Sequence, residues 1–536
     1  MTRNKRQNFM QGALILMIGG LLVKVIGAIF KIPLTNKIGA DGMALFNQAY
    51  DIYTWLYIIT TAGLPVAISR MVSESNSEGK YKQSNKILRI ALLSFLTLGV
   101  AATLLMLVFA ETFASWMSNP DAYFCIRVIA PAILFEVIMS AYRGYFQGCQ
   151  NMVPTAISQI IVAVVKLGLG YALAAYLADN GYAAEFVAGG AIFGVTAGTM
   201  LGAAYLFIKR LTTKNADERQ SHSPLCDTSS AIFKKMLAIV IPITIGSSVL
   251  SVTNLVDSAV VMRMLQGGAG LTYEKAKFVY GSYSSLARTM FNLPTALIVP
   301  LGVSVLPTIS EKFILGQKKE ANGIIQSAIR ITLLLALPAG FGLAFLSNPI
   351  LSLLFTDANE IAVAAPLLTM LAPAIIFVCL VSITNNMLQA IGKERVPVVT
   401  MLIGGTVKVI LSIMLVGNPD IAIKGAPVST NVCYALITLL NLAVLIRTLG
   451  GVNEIFKMFL KVLVASAACG GAAWLVHSLL SGAISPKLAT VAAILVAVVV
   501  YFVLLGLLGA YDERDIVLLP KGEKIKKMLE KIGWMG

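Results

Sequence analysis

The stretch KVIGAIFKIPL, from Lys24 to Leu34, sets two lysines seven positions apart inside an apolar run. At about 100° per residue, both fall on nearly one face of a helix. An ammonium in the middle of a lipid-facing helix costs several kcal/mol, so these positions require water, a counter-ion or an anionic ligand. Arg127, Arg143, Lys166, Arg288, Arg330 and Lys408 also lie in or beside apolar runs, against only three acids, Asp51, Glu136 and Asp257. Such an excess of cations makes an interior that is wet, or holds an anion, or both. Lys24, Lys31, Lys166, Arg288 and Lys408 are therefore the candidate substrate contacts, for an anion. Lys31 lies near the end of its run and equally suits snorkelling to headgroups. Lys166 and Lys408 equally suit bonding to helix carbonyls. Arg143 and Arg70 sit at cytoplasmic ends, as lipid-phosphate anchors or a gate. Asp257, with Asn254 three residues before it, can carry Na⁺ or a proton, or pair with a nearby cation.

The chain that positions these charges has 536 residues, 57% hydrophobic and 13% charged. A soluble chain carries about a quarter charged residues, so this is an integral membrane protein. Its net charge of +16 does not point to nucleic acid, because the cations flank apolar runs. Six scattered cysteines form no CxxC pair, and His222 and His477 are the only histidines, which excludes an imidazole-built metal or catalytic centre. No enzyme chemistry and no resident cofactor are expected beyond a coupling Na⁺ or H⁺.

Fourteen apolar runs of membrane-crossing length recur, the first an uncleaved span near 12–33 and the last near 489–510. Pro65, Pro131, Pro242, Pro294, Pro300, Pro338 and Pro373 interrupt several of them, which is tolerated where neighbours satisfy the freed carbonyls. Lys and Arg crowd alternate loops, such as Arg70–Arg89 and Lys209–Lys235, and are sparse in the others, with Lys37, Lys424 and Lys487 among the few. That asymmetry predicts both termini in the cytoplasm of a plasma-membrane protein.

An internal repeat is visible. FQGCQNMVPTAISQIIVAVVK ends at Lys166 and MLQAIGKERVPVVTMLIGGTVK ends at Lys408, and in each a glutamine (Gln147, Gln389) stands 19 residues before the lysine. An offset near 240 residues spans six runs, so the halves would be parallel repeats with a site between them. The expected organisation is all-α and polytopic, two six-helix bundles at 1–210 and 236–448 joined by a cytoplasmic linker at 211–235. Spans 13 and 14 follow at 449–510, then a basic tail at 511–536 whose apolar and lysine faces suit a helix lying on anionic lipid.

GGLLVKVIGAIFKIPLTNKIGADGMALFNQAYDIY, TAGLPVAISRMVSE, YRGYFQGCQNMVPTAISQ and NLVDSAVVMRML resemble the polysaccharide-biosynthesis, stage V sporulation protein B-like branch of the multidrug/oligosaccharidyl-lipid/polysaccharide flippase superfamily, related to MurJ-type lipid II flippases. The resemblance implies a V-shaped alternating-access transporter with a cationic cavity for a lipid-linked sugar diphosphate. It assigns Lys24 directly, and Lys31 and Arg288 within a residue, to that cavity. Tyr57 stands near where the MurJ type has a span-two arginine. Asp257 matches an aspartate of the MurJ-type sodium site, whose partner acids in span eleven are absent here. The last two spans would form a groove for the prenyl tail.

The expected function is a flippase carrying an undecaprenyl-type lipid-linked oligosaccharide diphosphate, lipid II first, from inner to outer leaflet. The chain would act as a monomer in contact with membrane lipid and with wall-synthesis proteins as its possible partners. The alternatives are a flippase for another wall or capsular precursor, a multidrug/cation antiporter of the superfamily, and a non-transporting partner of wall-synthesis or sporulation enzymes. No GxxxxGK[ST] motif is present, so ion or voltage gradients would supply energy.

Overall fold

The computed structural model describes residues 9–213, 227–449 and 453–509. Among them every regular element is helical. The first half comprises α1 (Phe9–Thr61), α2 (Leu64–Ser77), α3 (Tyr81–Val108), α4 (Ala110–Trp116), α5 (Tyr123–Ile129), α6 (Pro131–Gly148), α7 (Val153–Val165), α8 (Tyr171–Asp179), α9 (Ala184–Thr212), α10 (Ser229–Gly267) and α11 (Tyr273–Ser282). The second comprises α12 (Arg288–Ile314), α13 (Lys318–Phe345), α14 (Ser347–Leu354), α15 (Ala358–Ala390), α16 (Arg395–Val416), α17 (Gly425–Leu449), α18 (Asn453–Leu480) and α19 (Pro486–Leu507). Two five-residue π-helical segments, Lys166–Gly170 and Tyr283–Ala287, join α7 to α8 and α11 to α12.

Twelve helices among the described residues are long and apolar enough to cross a membrane. The first, Leu22–Ser77, takes in two of the runs read from sequence. α1 has 53 residues. At about 1.5 Å per residue it is more than twice as long as a hydrocarbon core is thick. It bends at Gly39, whose φ of 67° and ψ of 178° only glycine adopts readily. The break at Ala62–Gly63 has its own cause, because Pro65 takes the first turn of α2, where its missing N–H is not needed. Gly63 also meets α10 closely: a Cβ there would stand 2.6 Å from the Val240 carbonyl oxygen. Pro131 likewise opens α6, whereas Pro242, Pro338 and Pro373 lie inside continuous helices.

Packing divides the chain into two compact units: Met1–Gln266 with Leu271–Gly281, and Gly267–Gly270 with Ser282–Gly536. In the first, α1 packs on α7, α9 and α6, and two apolar cores form around Leu34, Met43 and Ile133 and around Leu64, Ile87 and Tyr145. α10 and α11 belong to this unit by packing, although they follow the polar linker in sequence. In the second, α15 packs on α12, α13 and α17, and α18 packs on both α13 and α19. Four of the five described cysteines are buried and all five are free thiols, as their apolar settings in the sequence predict. The basic tail and most of the cytoplasmic linker lie outside the described residues.

Candidate functional site: cations inside two helical units

In the first unit, α1 carries a column of aromatic rings. Phe46, Tyr50, Tyr53 and Tyr57 recur every three or four residues and so share one helix face. Successive centroids lie 6.0, 5.6 and 5.9 Å apart, and Phe30, across the Gly39 bend, joins Phe46 at 6.2 Å. The ammonium of Lys166 sits over this column, 4.7 Å from the Tyr50 ring centroid, 5.1 Å from Phe30 and 5.7 Å from Phe46. A desolvated cation–π contact is worth roughly 2 kcal/mol, so three rings offset much of the cost of holding a charge here.

The π-helical turn at Lys166 has a packing counterpart. A Cβ on Gly170 would lie 2.7 Å from the Ala191 carbonyl oxygen, and one on Gly194 would lie 2.5 Å from the Gly170 Cα. Two backbones touch at that point, and neither position accepts a side chain.

Lys31 stands next to the caged Phe30 and is half-buried, its carbonyl accepting from the Thr35 hydroxyl at 2.8 Å. Lys24, two turns earlier, is exposed. The structure thus brings Lys166 to the α1 segment that bears Lys31. Arg143 meets Glu136 on the same helix, Nη1 to Oε2 at 3.6 Å, and its Nε donates to the Ser158 hydroxyl of α7 at 3.0 Å. Arg70 is exposed and pairs with Glu74 at 3.6 Å, which also takes the Lys235 ammonium at 2.6 Å. Arg127 pairs with Glu111 rather than with Glu136, which lies nine residues and about two and a half helical turns further along the chain. Asp257 is buried, 3% exposed, and Asn254 half-buried. The neighbouring Ser258 hydroxyl bonds the Tyr280 hydroxyl.

At the end of α3 remote from Glu74, a polar cluster joins distant parts of the first unit. The Tyr273 hydroxyl reaches Asn119 Oδ1 at 2.6 Å and Asp121 Oδ2 at 2.8 Å, and the Lys277 ammonium reaches Asp121 at 3.0 Å. Asn119 donates to Gln48, and Gln266 donates to the Ser118 carbonyl at 2.8 Å. Burial and the Asp121 carboxylate together push the Tyr273 phenol up from its ordinary pKa.

In the second unit, Arg288 follows directly on the π-helical segment Tyr283–Ala287, all five residues of which are buried, and is itself half-buried. Lys408 is 5% exposed within the unbroken helix α16. One turn on, the Ser412 hydroxyl bonds that of Ser429 on α17 at 2.9 Å. Arg330 is buried and donates to the Ser327 hydroxyl at 2.9 Å. A buried amide cluster here is not among the sequence candidates: Asn441 donates to Asn385 at 2.8 Å and Thr384 at 3.1 Å and accepts from Thr400 at 2.8 Å. The adjacent asparagines at 385 and 386 in an apolar run were its sequence signal, as the regular spacing from Phe46 to Tyr57 was for the ring column. No cluster of three or more His, Cys, Asp or Glu suited to a metal occurs among the described residues.

These cation-bearing helical units match a known family model, described as polysaccharide biosynthesis protein, over residues 9–313. The chain belongs to that family. A second model, MatE, matches residues 281–414. Stage V sporulation protein B of Bacillus subtilis (strain 168) is 26% identical over 83% of this chain and 85% of its own. Lipid II flippase MurJ of the same organism is 27% identical over 89% of this chain and 90% of its own. A solved structure of lipid II flippase MurJ in an inward closed conformation has the same fold, with TM-score 0.69, 17% identity, and coverage of 94% of this chain and 100% of that one. Family membership and fold make the chain a multi-pass membrane protein of the flippase and transporter superfamily rather than an enzyme.

Proposed function

We propose that this protein moves a lipid-linked oligosaccharide diphosphate, most of all the peptidoglycan precursor lipid II, from the inner to the outer leaflet by alternating access, with both termini cytoplasmic. The observation that carries the reading is the excess of cations in the apolar helices of both units: Lys24, Lys31 and Lys166 in one, Arg288 and Lys408 in the other. A sugar diphosphate cannot cross hydrocarbon unaided, since each unpaired polar group costs several kcal/mol there. Fixed ammonium and guanidinium groups replace water around the phosphates while the prenyl tail stays in lipid. Arg288 suits bidentate phosphate contact, and Lys24 and Lys31 act as point charges along the path. An inside-negative potential drives an anion outward, worth roughly 2.3 kcal/mol per charge per 100 mV. Asp257 with Asn254 is the proposed coupling site for Na⁺ or H⁺, and Arg143 and Arg70 the proposed cytoplasmic gate.

The experiment is flipping of fluorescent lipid II by the purified protein in proteoliposomes. Movement that Lys24→Ala abolishes supports the reading, and undiminished movement in that variant removes Lys24 from the path. Binding without movement would favour a partner role in wall synthesis or sporulation. The similarity to stage V sporulation protein B supports testing other wall precursors beside lipid II. The MatE match over 281–414 supports a second reading, a cation or drug antiporter, which transport of a cationic dye but not of lipid II would favour.

A further inference from the structure

Glu136 takes no part in the transport reading, yet it is a buried carboxylate of the first unit. It lies on α6 and is only 8% exposed. Its Oε2 has no hydrogen-bond partner. The nearest cation, Arg143 Nη1, stands 3.6 Å away, an ion-pair distance too long for a hydrogen bond. The guanidinium spends its directed donors elsewhere, Nε on Ser158 at 3.0 Å and Nη2 on the Met139 sulfur at 3.5 Å.

The other charges on helices packed around α6 are engaged or distant. Glu74 of α2 takes the Lys235 ammonium at 2.6 Å with Arg70 at ion-pair distance, and Arg127 of α5 bonds Glu111. Lys82, Lys86 and Arg89 lie in the first turns of α3, and Glu185, Lys209 and Arg210 in the end turns of α9. α7 contains no titratable side chain. On α1 the groups facing Glu136 are the phenols of Tyr50, Tyr53 and Tyr57, with Asp51 beside Tyr50.

Burial penalises an ionised carboxylate. A single cation at 3.6 Å, with no hydrogen bond to Oε2, opposes that penalty by charge attraction alone. With the two effects opposed on one carboxylate, its ionised and neutral forms compete. We propose that Glu136 is a proton-exchanging site in which a proton and the Arg143 guanidinium compete for the same carboxylate. When a proton from water adds to the carboxylate, the ion pair dissolves and Arg143 is left to Ser158 on α7. Proton occupancy thereby changes the link between α6 and α7. This site is separate from Asp257 and does not depend on which substrate the protein carries.

The test needs no substrate. Infrared difference spectra of the full-length protein in detergent are recorded between about pH 9 and about pH 5, above the range in which ordinary carboxyls titrate. The expected result is a carbonyl stretch of a protonated carboxylic acid that grows as pH falls and is missing from Glu136→Gln. At one fixed neutral pH, Arg143→Gln should show a stronger band than the wild type, and Arg143→Lys should restore wild-type intensity. Size-exclusion profiles and thermal melting confirm that each variant is folded. A wild-type band that Glu136→Gln leaves intact, or one that Arg143→Gln leaves unchanged, overturns the proposal and makes the pair a permanent structural link.

Discussion

Lys166 and Lys408 end the two copies of one sequence pattern, 19 residues after a glutamine in each, yet the helix that carries them differs. Lys166 opens a π-helical turn and lies against three aromatic rings of α1. Lys408 is buried in a regular helix, a turn before a serine pair that ties α16 to α17. The repeat preserved the residue type and not the local helix geometry, a π-helical turn at one lysine and a regular α-helix at the other. A role found for one lysine therefore does not transfer to the other by symmetry alone.

The comparison can be broken most severely through the glycines. Gly194→Val would drive a side chain into the Gly170 backbone, which cannot step aside, and should cost 3 kcal/mol or more in stability, at or above the upper end of roughly 1–3 kcal/mol for overpacking. Loss of monodisperse protein on size exclusion is the expected readout. On the Lys408 side, a Cβ on Gly404 would meet the Ile437 side chain at 2.4 Å, which can change rotamer, so Gly404→Ala should lower the melting temperature measurably less. Equal losses at both positions would mean that the π-helical contact is nothing special.

Removing the charges comes next in size. Lys166→Met should leave melting unchanged or raise it, because an apolar chain then fills a site that no longer holds an ion. Lipid II flipping in proteoliposomes should fall about tenfold, equivalent to roughly 1.4 kcal/mol. Lys408→Met separates the halves: if flipping falls equally there, the two lysines work as a pair despite their different settings. Tyr50→Phe keeps the ring nearest the Lys166 ammonium and should change melting by less than about 0.5 kcal/mol equivalent, whereas Tyr50→Ala opens the cage and should cost more than the hydroxyl alone. A similarly small effect is expected at Glu74→Gln, where an exposed carboxylate between Arg70 and Lys235 contributes within about 1 kcal/mol, an amount that added salt should erase.

Much of this molecule is legible in its sequence, and the reason is the solvent. Lipid enforces long apolar helices, so the membrane class and the helical fold follow from run lengths alone. The family resemblance could be read from ordered segments such as NLVDSAVVMRML. The cation excess was visible too, by simple counting. The Lys166 cage was not, because its rings lie more than a hundred residues earlier in the chain. Both π-helical turns escaped as well, since one extra residue in a helical turn leaves no mark in an apolar pattern. The packing division at Gly281 differs from the polar linker at 211–235 because a composition shift marks solvent exposure, whereas a packing boundary is set by contacts such as Gly63 against Val240.

The polar cluster around Asp121 has a consequence for the order of assembly during synthesis. Asn119 and Asp121 take donors from Tyr273 and Lys277, and Ser118 from Gln266. A ribosome reaches these donors about 150 residues after the acceptors, at ordinary elongation rates an interval on the order of ten seconds. For that time the earlier loop is held through Gln48 of α1 alone, without the donors of α10 and α11. The first unit is therefore finished from its far end, by the arrival of α11, and a nascent chain stalled before residue 273 should carry this loop open to proteolysis.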